Sequence, residues 1–105
     1  ITPFVRLSVS QALVVAALRS ALAIREHADA SYVPGLVRSV ERLEKLGRAA
    51  EAALAVEMLV HAHLALGDPG AAARTLARAA VHAERAGNAS YVRRLGERRE
   101  ALGAP

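Results

Sequence analysis

Apolar positions along this chain follow the helical period of about 3.6 residues. The stretch from Arg48 to Gly67, RAAEAALAVEMLVHAHLALG, stands apart, because it is apolar around nearly its whole circumference. After Arg48 its polar positions are Glu51, Glu57, His61 and His63. A helix that apolar needs cover on several sides, so the flanking segments are expected to supply it. The pattern predicts a first helix from a cap at Ser8 or Ser10 to about Ala28, with Val14, Leu18 and Leu22 on one face and Ala17, Ala21 and Ile24 beside them. A break from His27 to Gly35 carries the turn and cap residues Asp29, Ser31, Pro34 and Gly35. A short second helix follows, Leu36 to Leu46, with Val37, Val40 and Leu43 inward. The central helix is the third. A fourth runs from Pro69 to about Ala86 with Ala72, Ala73, Leu76, Ala79, Ala80 and Ala83 as its seam. A fifth spans Ala89 to Leu102, where Tyr91, Val92, Leu95 and Leu102 stand among many charges.

The stops between these helices are regular. Gly47, Gly67 and Gly87 each fall where a helix-ending C′ residue wants positive φ, and they lie twenty residues apart. Asp68 followed by Pro69 opens the fourth helix with an N-cap and a proline whose missing N–H costs nothing there. A helix-plus-turn unit of this length makes a hairpin of about forty residues, and stacked hairpins bury a core through their neighbours. The reading is therefore all-α: an array of about five antiparallel helices in one domain spanning 1–105. Because the chain starts at Ile1, it is expected to be a fragment of a larger protein.

From Ala53 to Ala86 the residues resemble a tetratricopeptide repeat. Leu59 on the first helix of that hairpin matches the family pattern, as do Ala72, Leu76 and Ala79 on the second. Val60 departs from it where a small residue is usual, His63 where tyrosine is usual, and Glu84 where a terminal proline is common. The resemblance covers one repeat and implies a right-handed stack of hairpins; a plain helical bundle is the alternative. It also implies a protein- or peptide-binding scaffold, of the kind appended to bacterial transcription regulators as a regulatory or sensor part.

Composition narrows the chemistry. The chain has no cysteine, which excludes disulfides, thiolate metal sites and thiol nucleophiles. Aromatics are Phe4, Tyr32 and Tyr91, so the core is expected to form by close backbone approach over alanine. The longest apolar run near the start, Ala12–Leu18, is far short of the roughly 20 residues a membrane span needs. No membrane partner and a cytoplasmic location are expected. The charge is +4, and Lys45 is the one lysine against thirteen arginines. That balance fits a nucleic-acid or acidic partner, and equally the composition of proteins from GC-rich bacterial genomes.

The candidate site is the arginine pattern. Arg74, Arg78, His82 and Arg85 fall within about 80° on one face of the fourth helix. Arg93, Arg94, Arg98 and Arg99 crowd the fifth. Such a surface would steer an acidic protein partner or contact phosphates of a nucleic acid. Glu84, Glu97 and Glu100 interrupt it, and no stacking aromatics interleave it. His61 and His63 sit about 200° apart on a helix and cannot share a metal, while Glu57 with His61 makes only two ligands. The carboxylates are scattered, and no nucleophile–histidine–carboxylate arrangement or phosphate loop is present. No enzyme activity, cofactor, metal or catalytic residue is expected. The expected function is protein interaction, with nucleic-acid association as the alternative. The broad apolar face of the first helix would also serve as a homodimer seam.

Overall fold

A computed structural model describes residues 8–102. Five α-helices account for it: α1 (Val9–His27), α2 (Val33–Lys45), α3 (Ala49–Ala65), α4 (Pro69–Arg85) and α5 (Ala89–Ala101), with a single 3-10 turn at Ala30–Tyr32. There is no strand among the described residues, and no helix there is long and apolar enough to cross a membrane.

The ends of the helices follow from local chemistry. Ser8 caps α1 through a reciprocal pair: its hydroxyl accepts from the Gln11 backbone N–H, and the Gln11 side chain accepts from the Ser8 N–H. α2 begins at Val33, three residues earlier than the sequence predicts. Pro34 and Gly35 lie in its first turn, where a missing N–H leaves no bond unmade. The break thus shrinks to a short linker in which Asp29 accepts from the Ser31 N–H at 2.9 Å.

The three glycine turns are the same turn. Gly47, Gly67 and Gly87 have φ of +68°, +78° and +74°. Each donates its N–H three residues back, and the following residue donates five back, to Leu43, His63 and Ala83 respectively. That is a Schellman closure, and it recurs at each of the last three helix junctions. The following residue is at once the N-cap of the next helix. Asp68 and Asn88 accept from Ala71 and Tyr91 N–H at 3.0 Å in that role. Arg48 has no acceptor to offer and bonds Glu51 instead, at 3.0 Å.

α3 is covered by α1, α2 and most extensively by α4. α1 also packs on α2, and α5 packs on α4. α3 buries Ala52, Ala53, Ala55, Val56, Leu59, Val60 and Ala62. α4 meets it with Ala72, Ala73, Leu76, Ala79 and Ala83. Alanine against alanine lets α3 and α4 approach closely, but the core is not alanine alone: Ile24, Leu36, Leu43, Leu59, Leu76 and Leu95 are buried beside the alanines.

The inward face of α1 differs from the expected one. Ala17 and Ile24 are fully buried, whereas Leu18 and Leu22 are 44% and 45% exposed. Leu13, Val14 and Ala21 are partly covered between them. α1 packs on two helices along the line through its smallest buried residue, Ala17, and that choice turns the larger leucines outward.

Candidate functional site

The arginines of α4 do not stay together. Arg78 donates its Nε to Glu44 Oε2 of α2 at 2.9 Å, and its Nη2 to Oε1. His82 Nε2 lies 2.6 Å from the same Glu44 Oε2. The His82 side chain is only 8% exposed, although the helical spacing places it on a solvent stripe. Arg74 and Arg85 remain exposed. The expected stripe is therefore split, because one carboxylate on α2 engages two of its four members, His82 buried and Arg78 half-exposed. The Arg78 guanidinium holds the Glu44 carboxyl below the usual carboxylate range, the His82 bond adds to that, and partial burial opposes both.

Glu44 has a counterpart on α3. Glu57 accepts from the Tyr91 hydroxyl at 2.9 Å and from Arg98 Nη1 at 3.0 Å, both on α5. The same Arg98 nitrogen lies 3.4 Å from His61 Nε2, and the Arg94 guanidinium stands 5.3 Å from the Tyr91 ring centre. Burial, and then the bond to Glu57, pushes the Tyr91 hydroxyl above the ordinary tyrosine range. Arg93 stays exposed. The two carboxylates thus tie each helix to the next but one, α2 to α4 and α3 to α5, where no backbone contact joins them. Both ties close over a separation of 34 residues.

Sequence reasoning missed Glu44 and Glu57 as organising groups. Each reads locally as one of many solvated acids, and nothing nearby in the chain marks its partners. Replacing Glu44 by Ala should cost about 1–2 kcal/mol near neutral pH, the worth of charge-assisted bonds that are partly screened. The sign of the pH dependence follows from the lowered carboxyl. Its contribution is complete above the unfolded value of 4.5 and is lost as pH falls through the lower folded value. Urea titrations from about pH 7 to pH 3 should therefore show the variant converging on the wild type in acid. A constant gap at every pH would mean the charge does not carry the tie.

What the ties leave open is one side of α3. Ala50, Leu54, Glu57, Met58 and His61 form a single stripe by helical spacing, with α1 on one flank and α5 on the other. A cavity of about 430 Å³ lies on the α5 flank, lined by Ala50, Ala53, Leu54, Glu57, Tyr91 and Arg94 among others. One of about 140 Å³ lies on the α1 flank, lined by Leu18, Ala21, Leu22, Arg25, Met58 and His61. Leu54 is 44% exposed, much like Leu18 and Leu22. On the α2 and α4 side, Glu44, Arg48, His82 and Arg85 border a third cavity of about 200 Å³. Among the described residues no three metal-ligating side chains converge.

Of the eight residues of the sequence-predicted arginine pattern, then, Arg94 and Arg98 border the open stripe, Arg78 and His82 are held by Glu44, and Arg74, Arg85, Arg93 and Arg99 are exposed elsewhere. No protein-family model, curated protein or solved structure matches the chain.

Proposed function

We propose that this chain is a protein-interaction module, a scaffold of tetratricopeptide-like helical hairpins whose docking surface is the open stripe of α3 between α1 and α5. The observation that carries the reading is the exposure of Leu54 on that stripe and of Leu18 and Leu22 on its α1 flank, next to two cavities. Large apolar side chains gathered on one face mark an interaction site, and three of the exposed ones among the described residues line the cavities of this face, while others, such as Val9, Leu46 and Val81, do not. The recurrence of one turn at twenty-residue spacing supports the hairpin scaffold.

The test uses peptides selected by display against the wild-type chain. Leu22→Glu combined with Leu54→Glu changes exposed positions and should preserve the helical fold by circular dichroism. The selected peptides should lose at least about tenfold in affinity for that variant, as the loss of central apolar anchors does elsewhere. Equal affinity would move docking to another face. Duplex DNA and single-stranded RNA, titrated from about 50 to 200 mM salt, form the second arm. A measurable affinity that falls by orders of magnitude over that range would put phosphate contact by the arginines in place of protein docking.

A further inference from the structure

We infer that the partner on this face is an acidic amphipathic helix, in which each apolar anchor has a carboxylate beside it. The inference rests on the docking reading above and specifies its occupant. Both cavities set apolar side chains beside an arginine, and the α5-flank one also holds Glu57, Asn88 and Tyr91. On the α1 flank, Leu18, Leu22 and Met58 form the apolar part, and Arg25 stands at its edge, three residues on from Leu22. On the α5 flank, Ala50, Ala53 and Leu54 form the apolar part, and Arg94 stands at its edge.

The charges facing the stripe decide the sign of the partner. α1 contributes Arg25, which is exposed and has no ion-pair partner among the described residues. α5 contributes Arg94, whose contact is the face of Tyr91, and Arg98. α3 contributes His61 and a single carboxylate, Glu57, which already receives Arg98 and the Tyr91 hydroxyl. With Glu57 answered, Arg25 and Arg94 are left over, one on each flank. A guanidinium at the edge of an apolar cavity binds a carboxylate in forked geometry, while the cavity takes the neighbouring apolar side chain.

The shape suits a helix. α1 and α5 flank α3 without touching each other, and Ala50, Leu54 and His61 of α3 lie exposed between them. A helix laid there would present apolar residues at i, i+4 and i+7 to it. A second copy of this chain is a poor occupant, because its matching face would bring the same arginines against Arg25 and Arg94.

The probes are three synthetic helical peptides of about 18 residues with one shared leucine face, flanked by Glu, Gln or Lys. Binding is read by fluorescence anisotropy at about 50 and 200 mM salt. The Glu peptide should bind about tenfold tighter than the Gln peptide at low salt, and the Lys peptide should bind weakest. Arg25→Gln and Arg94→Gln should each weaken the Glu peptide about twofold to fivefold and leave the Gln peptide unchanged. Leu22→Ser and Leu54→Ser should weaken all three. If the leucine variants weaken binding but the Glu and Lys peptides bind alike, the acidic partner is overturned and the docking face stands. If no peptide binds, or the leucine variants change nothing, the docking face is itself overturned, and this inference with it. Dimerisation of the free chain that Leu22→Ser abolishes, seen by sedimentation, would overturn it in favour of a second copy.

Discussion

Leu76→Ala should remove about 2–5 kcal/mol of stability, a large share of what a domain of this size possesses. Leu76 is fully buried on α4, the helix that packs on both α3 and α5. The loss has two parts: the transfer of the deleted atoms, and the cavity they leave. The second should be large here. Many side chains around it are alanines that cannot lean into a void, so closing it would require backbones already in close approach to move. Urea denaturation followed by circular dichroism measures the change directly. A loss under about 1 kcal/mol would mean that the α4 seam is loosely packed.

The opposite error should also be costly. Ala72→Leu or Ala79→Leu is expected to destabilise by about 1–3 kcal/mol. Both alanines are fully exposed to nothing but protein, at 0% solvent exposure, on the face of α4 that meets the alanine-rich α3. A leucine there has no space to occupy unless the two helices separate, and separation uncovers the rest of the seam. The control is Ala65→Leu at an exposed position near the end of α3, which should stay within about 0.5 kcal/mol. If Ala72→Leu and Ala79→Leu proved as neutral as the control, close helix approach would not be what holds α4.

These two expectations rest on features already written in the order of residues. The alanine seam of α4, the all-round apolarity of α3 and the three glycine stops are local patterns, and the structure carries each of them. The start of α2 is less sharply marked. Pro34 and Gly35 read as a break, yet a proline is compatible with a first helical turn, so sequence pattern alone does not decide between the two. The inward face of α1 is not legible in the sequence for a different reason. Its apolar arc is wider than one contact, and periodicity locates an arc without saying which part of it a neighbour will cover. Only the seating of α1 against both α2 and α3 turned Ala17 and Ile24 inward and left Leu18 and Leu22 outside.

The candidate site divides in the same way. The arginines were visible as a composition and, on α4, as a stripe. Their destinations were not. Arg78 and His82 turn to Glu44 across 34 and 38 residues, and Tyr91 and Arg98 turn to Glu57 across 34 and 41. By itself, then, the sequence determined the helices, their capped ends and the alanine seams, because hydrogen bonding, capping and side-chain size act within a few residues. The tertiary structure alone decided which charges are answered, which leucines stay exposed, and so which face is open to a partner. Those outcomes depend on distances between helices, and such distances exist only once the helices have packed.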